Sequence, residues 1–119
     1  MSKEEAIGAN HICFDMLRRV IEAVAEIYGQ KGKEIATNAL YDVGRELATK
    51  VRDLLKITGK EPMDYAELHY YIDTNLWAIE EEIIPGEAGE AIIRASRCPL
   101  QDMFTFEDCM LFLPYVRGM

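Results

Sequence analysis

Glu90-Ala91-Ile92-Ile93-Arg94-Ala95-Ser96-Arg97-Cys98-Pro99 is the stretch on which the fold turns. It alternates with the two-residue period of a strand and stops at a cysteine followed by proline. Leu76 to Ile84 reads as a partner strand, and Pro85-Gly86-Glu87-Ala88-Gly89 between the two runs is turn chemistry. Together they predict an antiparallel β-hairpin. With Ile84 opposite Glu90, Trp77 faces Arg97, Ile79 faces Ala95, Glu81 faces Ile93 and Ile83 faces Ala91. That side is mostly apolar and is expected to meet helices. The other side sets Glu80 against Arg94, a favourable charge pair in solvent. The same register brings Trp77 and Arg97 within reach of a cation–π contact.

Working outward toward the N-terminus, two long amphipathic helices are expected. The first runs from about Lys3 to Tyr28, with Ser2 and Glu5 at capping-box spacing and Gly29 as its stop. At 100° per residue, His11, Asp15, Arg18, Glu22 and Glu26 form one narrow polar stripe, so the helix is expected to be covered on two sides. The second runs from about Gln30 to Ile57. Ile35, Ala36, Ala39, Leu40, Val43, Leu47, Val51, Leu54 and Leu55 make its apolar face. Gly44 at the edge of that face costs about 1 kcal/mol of helix propensity against alanine, and close packing would account for it. A short helix capped by Asp64 follows Pro62 and is expected to break at Asp73-Thr74-Asn75. Beyond Pro99 a loop leads to a last apolar helix from about Thr105, with Pro114 kinking or ending it.

The sum is one α+β domain over residues 1–119: two long helices, a short helix and a terminal helix packed on an antiparallel hairpin. Two strands alone are marginal and leave both edges open. The sheet is therefore expected to be completed by a second copy, another subunit or a further segment.

The composition narrows the function classes. Half of the 119 residues are hydrophobic and 29% are charged, an ordinary globular balance. The net charge of −8 disfavours nucleic acid as a partner. No apolar run approaches the roughly 20 residues of a membrane span. The acidic start, Ser2-Lys3-Glu4-Glu5, is unlike a secretory leader, so a cytoplasmic location is expected. The odd count of three cysteines fits reduced thiols, and none of their spacings is Cys-x-x-Cys. No metal site or cofactor is predicted.

Phrases along the chain carry a family resemblance. Tyr28-Gly29-Gln30-Lys31-Gly32-Lys33-Glu34-Ile35, then Leu40-Tyr41-Asp42-Val43-Gly44-Arg45, then a hairpin ending Arg97-Cys98-Pro99, resemble the L-2-amino-thiazoline-4-carboxylic acid hydrolase-like family. More distantly the chain looks like the 4-vinyl reductase and haem–nitric-oxide-binding superfamily. The resemblance spans roughly residues 10 to 110. It implies helices over an antiparallel sheet with a small-molecule pocket between the layers, and hydrolysis of a small C–N or C–S bond in the members that act on a thiazoline ring. The motif that can be placed is Arg97-Cys98-Pro99, with Cys109 as a looser match to a later cysteine. Family members continue with further strands, so this chain is expected to be shorter at its C-terminus.

Site candidates follow, each with a plainer alternative. Cys98 and Cys109 suit a nucleophile or a pocket wall, but both also suit small core residues. His69 shares a helix side with Tyr65 and Ile72, so it is either a general base or a histidine packed on tyrosine. Glu81 on the apolar face of the hairpin would have a raised pKa and act as acid or base, unless twist carries it to solvent. Trp77 and Tyr65, with Tyr70 and Tyr71, wall a pocket for a flat ligand or simply fill the core. His11 and Cys13, two apart on a helix, cannot grip one ion, and His11 is expected in solvent. The catalytic set is thus His69, Glu81 and Cys98, and the ligand set Tyr65, Trp77, Arg97 and Cys109. Expected partners are a small-molecule ligand and a second copy of the chain or a partner subunit. The alternative function is a non-catalytic subunit that docks through its hairpin edge and C-terminal helix.

Overall fold

The structure, a computed structural model, describes residues 2–119. The two expected N-terminal helices form one long element, α1 (Lys3–Leu55), broken at Gly29. Ser2 and Glu5 make the reciprocal cap: Ser2 Oγ accepts from the Glu5 amide at 3.1 Å, and Glu5 Oε2 accepts from the Ser2 amide at 2.9 Å. Gly29 sits at φ 69° and ψ −160°, a region essentially reserved for glycine, so the chain turns there and restarts as helix. The second arm closes at Lys56, which adopts the left-handed conformation while the Ile57 amide donates to the Arg52 carbonyl.

α2 (Pro62–Leu76) is longer than expected. Glu61, not Asp64, is the cap residue, and Asp64 instead accepts from the Glu61 amide at 2.9 Å. Asp73-Thr74-Asn75 does not break the helix. Thr74 Oγ1 and Asn75 Nδ2 donate to the carbonyls of Tyr70 and Tyr71 one turn back, which lets both polar residues sit inside it. The first strand is correspondingly short. Trp77 ends α2, Ala78 turns the chain at φ 55°, and the Ile79 amide donates to the Asp73 carbonyl.

The hairpin pairs β1 (Glu80–Pro85) with β2 (Ala91–Arg97) in a two-stranded antiparallel sheet. The register differs from expectation by two residues: Ile83 faces Ile93, Glu81 faces Ala95, and Glu82 rather than Glu80 pairs with Arg94. A two-residue slip preserves the faces. Glu81, Ile83, Ala91 and Ile93 therefore remain the half-buried side, as the alternation predicts. The slip comes from the turn, where Pro85 pairs with Ala91 and Gly86 to Glu90 form the loop. A bulge at Glu80 leaves Ser96 as the extra residue, its hydroxyl donating to the Glu80 carbonyl.

A short 3₁₀ turn (Pro99–Asp102), α3 (Phe106–Met110) and α4 (Leu113–Gly118) complete the chain. Thr105 and Asp108 cap α3 as expected. Pro114 neither ends nor kinks a helix; it opens α4, where the missing amide costs nothing. α4 crosses the second arm of α1 at backbone contact. A Cβ at Gly44 would run into the Tyr115 carbonyl, and one at Gly118 into the Tyr41 carbonyl. Gly44 is thus explained by close packing.

The core has two linked clusters. Ile21, Leu40, Leu111 and Tyr115 join both arms of α1 to the C-terminal helices, while Ala48, Val51, Leu68 and Ile72 join α1 to α2. Complete burial of Phe14, Ile21 and Ile72 contributes roughly 1.5–3 kcal/mol each. The buried stripe of the second arm is Leu40, Gly44, Ala48 and Val51, whereas Ile35, Ala39, Val43 and Leu54 face outward. The first arm is likewise covered on one side, not two, among the described residues. Among the described residues no helix is long and apolar enough to cross a membrane.

Candidate active site

A cavity of about 260 Å³ lies where α1, the end of α2, the start of the hairpin and the C-terminal helices meet. Phe14 forms its floor, and Trp77, Cys98, Cys109, Phe112 and Tyr115 are among its walls, with Asp73 on its polar side. Phe14 stacks on Phe112 at 4.5 Å between centroids. Trp77, Phe112 and Tyr115 meet edge to face in all three pairings, at 6.0 to 6.2 Å. The Trp77 Nε1–H donates to the Tyr115 phenol oxygen at 3.2 Å. Burial pushes the Tyr115 phenol up, so it stays protonated at neutral pH.

Asp73 and Glu81 form a carboxyl pair beside this cavity. Asp73 lies one helical turn after His69 on α2, and Glu81 reaches it from β1. Burial, then the charge of Asp73 and their mutual hydrogen bond, raise Glu81 from its ordinary 4.5 to about 7. Burial raises Asp73 too, against the opposing pull of His69. Two carboxylates in contact cannot both ionise cheaply, so the charge of Asp73 helps to hold the proton on Glu81. Glu81 Oε1 is buried with no hydrogen-bond partner, which favours the protonated form of the carboxyl. The pair has two outlooks. Asp73 faces the apolar cavity, whereas Glu81 opens on a separate polar groove of about 590 Å³ bordered by Lys3, Glu80, Glu82 and Arg94. Ile79 lines both spaces and separates them.

The sequence-derived candidates divide into those the fold gathers and those it leaves out. Trp77, Cys98 and Cys109 share the cavity, and Glu81 stands next to it through Asp73. His69 is half-buried and close enough to bias Asp73, but it lines neither space. Tyr65 is exposed, two turns further up α2, and walls nothing there. Arg97 is turned away at the end of β2, where it pairs with Asp102 at 3.1 Å. The expected Trp77–Arg97 contact is absent because Trp77 belongs to the helix end and not to the strand. The cation–π pair instead joins Arg18 to Phe104 at 6.0 Å. His11 is not in solvent. Its Nε2–H donates to the Pro99 carbonyl at 2.8 Å, pinning the Cys98-Pro99 corner to α1.

The chain is similar to a protein of Archaeoglobus fulgidus. That relative, described only as an uncharacterized protein, is 33% identical over 109 residues, which cover 86% of this chain and 48% of the relative. The chain thus spans about half the length of the curated relative it matches. No family model and no solved structure matches it.

The chemistry of the thiols is constrained by their surroundings. Burial, then the proximity of Cys98 and of Asp108, push the Cys109 thiol up, so it is a protonated, apolar wall at neutral pH. Among the described residues no group of three or more His, Cys, Asp or Glu side chains is placed to hold a metal ion. Asp73, Phe112 and Tyr115 escaped the sequence reading. Asp73 was expected to terminate a helix, although its position four residues after His69 and its apolar surroundings were visible signals. Phe112 and Tyr115 gave none, because only the crossing of α4 over α1 brings them to Trp77.

Proposed function

We propose that this chain is a small-molecule-binding domain whose ligand sits in the cavity between Trp77, Cys98, Cys109 and Tyr115, and that it hydrolyses a small C–N or C–S bond. The observation that carries this reading is the adjoining Asp73 and Glu81 carboxyls, one of them in the wall of an aromatic-lined hollow. Such a pair holds a general base and a general acid at the same pH. Asp73, the carboxyl that faces the cavity, takes a proton from water as the water oxygen bonds to the electrophilic carbon, and returns it to the nitrogen or sulfur as that bond breaks, with Glu81 behind it setting its charge and water consumed one for one. The resemblance to thiazoline hydrolases, with Arg97-Cys98-Pro99 as its motif, supports a ring of that type as substrate. Incubation with 2-aminothiazoline rings, followed by mass spectrometry, is expected to show gain of one water. Glu81→Gln should abolish the gain. Turnover equal in wild type and Glu81→Gln would refute the assignment of roles.

A second reading rests on a separate observation. Ala9, Cys13, Met16, Val20, Ala23 and Ile27 follow alternating spacings of four and three along α1, and all are exposed. Within it Met16, Val20 and Ile27 are 62%, 58% and 74% exposed, and Ile12 flanks it at 63%. The stripe presents on the order of 500 Å² of apolar surface, at the upper end for a monomer and below the ~800 Å² per partner of a standard interface. Its spacing reads the same from both ends, so an antiparallel second copy sets Ala9 against Ile27 and Met16 against Val20. We propose that two copies pair along this stripe, with the open hairpin edge adding further contact. Light scattering after size exclusion should give a dimer that Val20→Glu converts to monomer; a monomeric wild type at tens of micromolar would overturn the pairing.

A further inference from the structure

The cavity beside Trp77 is selective in its charge as well as its shape. Among its twelve lining residues Asp73 is the only acid, and there is no lysine or arginine. Arg97, the basic residue nearest in sequence to the cavity cysteine Cys98, is held at the surface by Asp102. The three rings of Trp77, Phe112 and Tyr115 stand at 70° to 82° to one another, so they form the corner of a box and turn aromatic surface in more than one direction. Phe106 at the mouth is 77% exposed, and Phe14 at the floor is 1% exposed, which gives the hollow an open end and a closed one.

These features favour one sign of ligand. A cation gains from the negative ring faces and from the carboxylate together. An anion meets like charge at Asp73 and finds no basic side chain. A neutral ligand gains no charge attraction from Asp73. The surplus of acids over bases, 21 against 13, draws cations toward the protein from a distance. Resting on the cavity reading above, we infer that the cavity takes a small organic cation, an amine on an apolar or aromatic body. Its ammonium group lies by Asp73 and its apolar body against Trp77, Phe112 and Tyr115.

The test uses the full chain at neutral pH and three probes of one shape: benzylamine, benzyl alcohol and benzoate. Trp77, the only tryptophan, reports binding by its fluorescence. Benzylamine is expected to bind at least ten-fold more tightly than benzyl alcohol, with benzoate weakest. In the Asp73→Asn, Glu81→Gln double variant, circular dichroism checks the fold, and benzylamine should fall to the level of the alcohol measured on the same variant. Benzyl alcohol or benzoate binding as tightly as benzylamine to the wild type would overturn the ligand class and leave the cavity standing as a site. Failure of all three probes to bind would overturn the ligand class and the cavity reading together. The wild-type comparison decides the matter even if the double variant does not fold.

Discussion

Stability should fall as pH rises through the range where Glu81 loses its proton. In the native state Glu81 holds its proton up to about pH 7, against an ordinary 4.5. A tenfold difference in proton affinity is worth about 1.4 kcal/mol. The full difference therefore sets a ceiling of roughly 3–4 kcal/mol, and solvent at this half-exposed site cuts it to ~1–2 kcal/mol. The sign follows from linkage. The folded state binds more protons than the unfolded state between these two pKa values, so the stabilising contribution is complete below pH 4.5 and is lost as pH climbs to about 7. The raised Asp73 acts in the same direction. Urea unfolding from pH 5 to 8, followed by far-ultraviolet dichroism and Trp77 fluorescence, measures the loss. Glu81→Gln should flatten the curve and be more stable than wild type at pH 8. Glu80→Gln, an exposed neighbour, controls for general charge repulsion. If the two variants flatten the curve equally, the buried pair is not its source.

Other substitutions test the packing that shapes the site. Gly44→Ala drives a methyl group into the Tyr115 carbonyl and should cost about 2–3 kcal/mol in chemical unfolding; a loss under about 0.5 kcal/mol would mean the helices do not touch there. Ala78→Gly relieves a left-handed alanine and should stabilise by about 1 kcal/mol, visible as a higher Tm. Tyr115→Phe removes the acceptor of the Trp77 indole and should cost ~1–2 kcal/mol while shifting the Trp77 emission; unchanged emission would count against the hydrogen bond.

How much of this was legible in the residues depends on the range of the interaction. Local signals held. The Ser2–Glu5 and Thr105–Asp108 caps, the break at Gly29 and the alternating faces of the hairpin all follow from neighbours within a few positions. Asp73-Thr74-Asn75 misled because their side chains satisfied carbonyls one turn back instead of competing with the helix. That extra turn of α2 moved Trp77 off the strand and removed its pairing with Arg97. Glu81 was readable from alternation alone, since even the two-residue slip kept its face. Its partner Asp73 was not, because the contact depends on how the hairpin folds back over the end of α2. The cavity aromatics Phe112, just before α4, and Tyr115, within it, needed the glycine crossing at Gly44 and Gly118, which no periodicity encodes.

The proposed ligand site is the hollow beside Trp77. Heteronuclear NMR of the labelled chain during a benzylamine titration locates the contact directly. The shifts should concentrate at Asp73, Trp77, Cys98, Cys109 and Tyr115 and spare the second arm of α1 around Asp42 to Lys50. Shifts gathered on that arm, or scattered along the exposed α1 stripe, would contradict it.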